Sequence, residues 1–142
     1  MFGLRIERRM GGPMCEVQIG AHGEDISIDL RVWDAQAYRA SWLRSAAHVL
    51  EHGYGRFLLS VSRPGDRIFT TLVCRTRFDR LLLFKSLLLP SATNDYADPA
   101  EAETIAEDFA ARNDTEPELI VWYCDLSDMA AFESRLRGTR MG

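Results

Sequence analysis

The sequence predicts an α+β domain, a mainly antiparallel sheet with helices packed against it. Three observations carry this reading. Apolar and polar residues alternate with period two through Ile26-Ser27-Ile28-Asp29-Leu30-Arg31-Val32, the pattern of a half-buried antiparallel strand. A stretch from Ala35 to His52 instead repeats its apolar residues at helical spacing, with a capping residue before it and a glycine after it. In the middle of the chain, three strand-like runs are joined by two turn signals, which makes a meander.

The elements follow in order. Leu4 and Ile6 alternate with Arg5 and Glu7 until Gly11-Gly12-Pro13 breaks the run, and Val17 and Ile19 alternate with Glu16 and Gln18 before a turn at Gly20–Gly23. The Ile26–Val32 strand comes next. Asp34 is placed to cap the helix, because its carboxylate can accept from the first free amides, and Trp33 and Tyr38 stand at the two positions of a hydrophobic staple. Tyr38, Trp42, Ala46, Val49 and Leu50 form the apolar stripe of that helix, and Gly53 ends it. Phe57, Leu59 and Val61 alternate, Arg63-Pro64-Gly65-Asp66 fits a type II turn, and Ile68–Arg77 is rich in strand formers. After a turn at Phe78-Asp79-Arg80, the run Leu81-Leu82-Leu83-Phe84 reads as a central strand covered on both faces. Asp98-Pro99-Ala100-Glu101 opens a further helix ending near Arg112, with Ala102, Ile105, Ala106 and Phe109 on one face. Leu119–Leu126 is the last strand, and Ser127 caps a short helix through Leu136. No repeat or long linker divides the chain, so residues 1–142 are expected to form a single domain with a substantial core.

Composition narrows the function classes. Hydrophobic residues make up 46% and charged residues 27%, the balance of an ordinary soluble domain rather than a disordered chain. No run of about eighteen apolar residues occurs, and Met1-Phe2-Gly3-Leu4-Arg5 has neither the apolar core nor the cleavage site of a signal peptide. Cys15, Cys74 and Cys124 are odd in number and far apart, which suits reduced, buried thiols and a cytoplasmic address. Charge is distributed unevenly. Residues 1–90 carry thirteen Lys and Arg against nine Asp and Glu, a net of +4, whereas residues 91–142 carry four against twelve, a net of −8. An acidic segment of that kind attracts a basic protein rather than nucleic acid.

One catalytic pattern is spelled out in full. His48-Val49-Leu50-Glu51-His52 reads H-x-x-E-H, in which two histidines four apart on a helix could hold Zn²⁺ and the glutamate could act as base. Gly53 ends the helix immediately, the remaining histidine, His22, lies in a loop far upstream, and a histidine at a helix C-terminus already complements the dipole. A zinc hydrolase using His48, Glu51 and His52 is therefore the weakest reading, and no metal or other cofactor is expected. There is no nucleophile elbow and no phosphate-binding P-loop. The residues make no positive case for an enzyme. Arg5, Arg8 and Arg9, and Arg75, Arg77 and Arg80, could track phosphates, so a nucleic-acid-binding α+β module is the alternative function. The net charge of −4 and the single lysine weigh against it.

Four segments together resemble a known family. They are Met1-Phe2-Gly3, then Trp33-Asp34-Ala35-Gln36-Ala37-Tyr38-Arg39-Ala40-Ser41-Trp42-Leu43, then Phe57-Leu58-Leu59-Ser60-Val61-Ser62, and last Leu119-Ile120-Val121-Trp122 followed by Asp125-Leu126. In this order, and over most of the chain, they resemble the CdiI-type immunity proteins of bacterial contact-dependent growth inhibition systems. The segment W-D-x-x-x-Y-x-x-S-W-L is the most specific of them. The chain departs from that pattern at Lys85-Ser86-Leu87-Leu88-Leu89 and at Ile120-Val121-Trp122. The resemblance implies a cytoplasmic protein without catalysis of its own, which holds the C-terminal domain of one cognate toxin in a tight one-to-one complex. Many such toxins are nucleases with basic faces. Asp95, Asp98, Glu101, Glu103, Glu107 and Asp108 are accordingly expected to present a negative surface to the toxin.

Overall fold

A computed structural model describes residues 1–28, 30, 33–61, 69–88 and 121–140. Strands β1 (Phe2–Arg9), β2 (Gly12–Ile19) and β3 (His22–Ser27) form one antiparallel sheet in that order. Helix α1 (Ala35–His52) follows. Strands β4 (Tyr54–Val61), β5 (Phe69–Arg77), β6 (Arg80–Leu88) and β7 (Trp122–Cys124) form a second antiparallel sheet, again in chain order, and α2 (Leu126–Arg140) closes the described chain. This is the α+β arrangement that the sequence predicts. The type II turn at Arg63–Asp66, the helix opened by Asp98-Pro99, and Asp29, Arg31 and Val32 lie outside the described residues.

Both sheets and both helices share one core. Phe2, Leu4, Cys15, Val17 and Ile19 supply the inner face of the first sheet, and Leu72, Cys74, Leu81 and Leu83 that of the second. Three rings tie the layers together. Phe2 of β1 lies 5.4 Å from Phe57 of β4 and 4.9 Å, edge-on, from Phe132 of α2. Leu81-Leu82-Leu83-Phe84 is buried throughout, as its unbroken apolar run predicts. Leu81 and Leu83 face the main core, whereas Leu82 and Phe84 join Val73 in a second cluster on the opposite face, with Val121 packed on it.

Helix α1 starts and stops where local chemistry puts it. The Ala37 amide donates to Asp34 Oδ1 at 2.8 Å, Trp33 and Tyr38 meet edge-on at 5.2 Å, and Gly53 takes the left-handed conformation (φ 84°) that a side chain would strain. Other boundaries differ from expectation. The strand predicted at Ile26–Val32 begins at His22 and ends at Ser27. Ile28 still donates to Pro13 O at 3.2 Å, but Pro13 has no N–H to return, so the ladder stops there. Leu50 is exposed, and Leu43 with Ser41 and Ser45 completes the buried stripe. The strict alternation expected in β4 is lost, because a bulge between Leu58 and Ser60 accompanies three consecutive buried residues, Phe57, Leu58 and Leu59. The last strand shrinks to Trp122–Cys124. Its helix begins before Ser127, since Asp128 accepts from the Asp125 amide at 3.0 Å and Asp125 O receives the amides of Asp128 and Met129.

Candidate protein-binding surface

The H-x-x-E-H residues come together only in part. His48 and His52 lie one turn apart with their rings tilted and centroids 4.5 Å from each other, and Glu51 Oε2 lies 3.8 Å from His52 Nε2. His48 Nδ1 donates to Tyr54 O at 2.8 Å, so the ring is committed to β4. Among the described residues, no group of three or more His, Cys, Asp or Glu side chains is placed to hold a metal ion. His22 does not stand in a loop. It opens β3, stacks on Trp122 of β7 at 4.5 Å and lies 3.6 Å from Glu24, which in turn holds Lys85 of β6 at 2.6 Å. These contacts join the two sheets along one seam. Burial alone would raise the Glu24 carboxyl, but the Lys85 ammonium, with His22, outweighs it and holds the group below the usual carboxylate range.

The three cysteines are buried and free. Burial pushes the Cys15 and Cys124 thiols up to about 12, and Cys74 is raised too, so none is poised as a nucleophile.

The arginines of the two basic clusters are largely committed within the fold. On the outer face of the first sheet, Arg5 pairs with Glu7 at 2.5 Å and Glu16 at 3.2 Å, and Arg9 with Glu7, Glu16 and Asp25. On the second sheet, Arg75 lies over Phe84, Arg77 over Phe78, and Arg80 over Tyr123 while pairing with Asp125 at 3.2 Å. Arg56 is buried in β4, and burial lowers its pKa to about 10.

The edges of the two sheets are treated differently. Strand β4 is an outer strand of its sheet, and the carbonyls of Tyr54, Arg56 and Leu58 point away from β5. Three side chains of α1 meet them in sequence. His48 Nδ1 reaches Tyr54 O, Ser45 Oγ reaches Arg56 O at 3.1 Å, and Trp42 Nε1 reaches Leu58 O at 2.8 Å. Spaced three residues apart, they cover the edge with a helix and satisfy its acceptors. Gly55 allows this approach, since a Cβ there would lie 2.7 Å from Val49 Cγ2.

Strand β1 is an outer strand of the first sheet among the described strands. Met1 O accepts from the Gly20 amide at 2.7 Å, which sets the phase of the ladder. The odd residues of β1 therefore bond to β2, and the even residues Phe2, Leu4, Ile6 and Arg8 turn their backbone groups outward. Phe2 O is met by Arg135 Nη2 at 2.7 Å. Alongside lies a groove of about 740 Å³, floored by Leu4, Ile6 and Phe132 and rimmed by Arg5, Arg39 and Arg135. Sequence reasoning missed it because its lining comes from β1, β2, α1 and α2, which nothing local brings together. The nearest local signal is the Arg5-Glu7-Arg9 alternation, which marks β1 as a strand with one polar face. Asp95, Asp98, Glu101, Glu103, Glu107 and Asp108 lie outside the described residues. No helix among the described residues is long and apolar enough to cross a membrane.

No protein-family model and no curated protein matches the sequence. Among solved structures, the fold is similar to a chain of the CdiA-CT/CdiI toxin and immunity complex from Enterobacter cloacae, at a TM-score of 0.77 and 18% sequence identity. The match covers 97% of this chain and 99% of the other, so the two share a CdiI-complex fold from end to end.

Proposed function

We propose that this chain is a CdiI-type immunity protein. It binds the C-terminal toxin domain of a contact-dependent growth inhibition system and neutralises it by covering its substrate site. The observation that carries the reading is the fold likeness to a chain of a toxin and immunity complex over nearly the full length of both. The four family-like segments, from Met1-Phe2-Gly3 to Asp125-Leu126, assign the chain to the immunity side of such a pair. The reading is of a cytoplasmic, one-to-one partner with no catalysis of its own. Buried, unactivated thiols and a His48 committed to the backbone agree with a binding role.

The contact surface we favour is the acidic segment carrying Asp95, Asp98, Glu101, Glu103, Glu107 and Asp108. Residues 91–142 hold a net charge of −8, which suits a toxin with a basic face, as a nuclease has. The arginine pairing on both sheets leaves less cationic surface for phosphates, and this supports a protein partner over nucleic acid.

The test is co-purification with the toxin domain encoded immediately upstream, followed by calorimetric titration and by rescue of cells expressing that toxin. A complex of nanomolar affinity or better, about −12 kcal/mol, with rescue from that toxin alone, supports the reading. Failure to bind and to rescue removes it.

A further inference from the structure

The structure assigns a second binding surface, the edge of β1 that no other described strand pairs, and we propose that it takes an extended acidic segment of a partner protein by strand addition. This goes beyond the toxin reading and does not rest on it. The edge and its groove are built from residues other than 95–108, so the two tests change different residues and either can fail while the other passes.

The argument begins with the backbone. Leu4, Ile6 and Arg8 turn amides and carbonyls away from β2, and among the described residues only Phe2 O, at one end of the edge, is met by a side chain. The fold covers the opposite case in detail, with Trp42, Ser45 and His48 occupying three successive acceptors of β4. Free edge groups recruit a strand, and strand addition is a common way to bind an extended peptide. The groove supplies the rest of what such a peptide needs. It runs beside the chain from Met1 to Ile6, a length that suits about five residues at roughly 3.3 Å each. Its volume of about 740 Å³ suits a segment of that size.

The rim sets the chemistry of the guest. Arg5, Arg39 and Arg135 face the groove, and Glu16 is the single carboxylate lining it. Arg5 shares Glu7 and Glu16, and Arg39 makes no ion pair with a described residue. Carboxylates at alternate positions of an incoming strand share one face, and turned to the side on which α1 and α2 pack they can reach Arg39 and Arg135 while the intervening apolar side chains lie on the outer face. A basic strand meets like charge in the same place.

The probes are the capped pentapeptides Glu-Val-Glu-Val-Glu and Lys-Val-Lys-Val-Lys, titrated into the full-length protein while its backbone amide resonances are followed. The acidic peptide is expected to shift the Leu4, Ile6 and Arg8 amides and slow their exchange, and the lysine peptide is expected to leave them unchanged. Arg39→Glu should weaken the acidic peptide by roughly tenfold or more. Ile6→Pro removes only an outward-facing amide, which an edge strand tolerates, and should abolish binding. If that variant does not fold, Arg39→Glu decides. Unmoved Leu4 and Ile6 amides at millimolar acidic peptide overturn the proposal, as does equal binding of the lysine peptide or an unaffected Arg39→Glu. Self-association of the free protein that Ile6→Pro abolishes would also overturn it, by making a second copy the occupant.

Discussion

The indole Nε1 of Trp42 donates to the carbonyl of Leu58 at 2.8 Å, and both residues are fully buried. This bond is one end of a three-rung contact in which α1 closes the open edge of the second sheet. Replacing the indole by phenyl in Trp42→Phe leaves a buried acceptor unpaired, which costs about 1–3 kcal/mol, and removes ring volume besides. Ser45→Ala opens the neighbouring rung at Arg56 O and should cost about 1 kcal/mol. Urea unfolding checks both. An unchanged midpoint in Trp42→Phe would show that the edge is sealed by packing alone.

The same contact depends on a glycine. Gly55→Ala places a methyl 2.7 Å from Val49 Cγ2 and 3.3 Å from Ser45 O, so helix and strand must separate. A loss of about 1–3 kcal/mol is expected, and it should exceed that of Asp34→Ala, where one capping bond costs about 1 kcal/mol. Thermal unfolding of the two variants side by side tests the order.

What was legible in the sequence follows from the range of the forces involved. The limits of α1 depend on Asp34, Trp33, Tyr38 and Gly53, all within reach of the helix ends, and the sequence places them correctly. The end of β3 depends on Pro13, fourteen residues before Ser27, whose missing amide matters only once β2 and β3 are paired. The bulge at Leu58 likewise belongs to the pairing of β4 with β5. Trp42, Ser45 and His48 carried a partial signal, since polar tips at spacing three on or beside an apolar stripe need acceptors. Which acceptors they find is a tertiary fact. Reading His48 as a possible ligand and His22 as a loop residue missed the backbone carbonyl and the indole they actually meet.

The seam between the sheets gives a pH dependence. A carboxyl held below its unfolded value contributes stability that is present above the unfolded pKa and is lost as pH falls through the folded one. Glu24 is held down in this way by Lys85 and His22. The protein should therefore lose stability between about pH 5 and pH 3 more steeply than Glu24→Gln does. The same should hold in comparison with Lys85→Met, and combining the two changes should add little to either. Urea midpoints measured across that range check the coupling, and parallel pH profiles for all four proteins would count against it.

Thiol reactivity tests the core directly. Cys15, Cys74 and Cys124 are buried with raised pKa values, so an aromatic disulfide reagent at pH 8 should label none of them at a measurable rate in the folded state. In denaturant all three should react at once. Rapid labelling of any one of them under native conditions would place it at a surface or in a locally opening element.

The charge of the C-terminal part is the feature through which association with a basic toxin would be steered. Steering acts on the encounter rate and fades with added salt, whereas short-range contacts act mainly on dissociation. Reversing Glu103, Glu107 and Asp108 to lysine changes the net charge of residues 91–142 from −8 to −2. Urea unfolding of the triple variant first checks that it is folded. The variant should associate with the toxin domain at least about tenfold more slowly at low salt, and its rate should depend less on ionic strength. Stopped-flow association at several salt concentrations separates these effects. Slowed association with a flattened salt dependence puts the acidic segment at the interface. Unchanged kinetics remove it and leave the toxin to be held elsewhere on the fold.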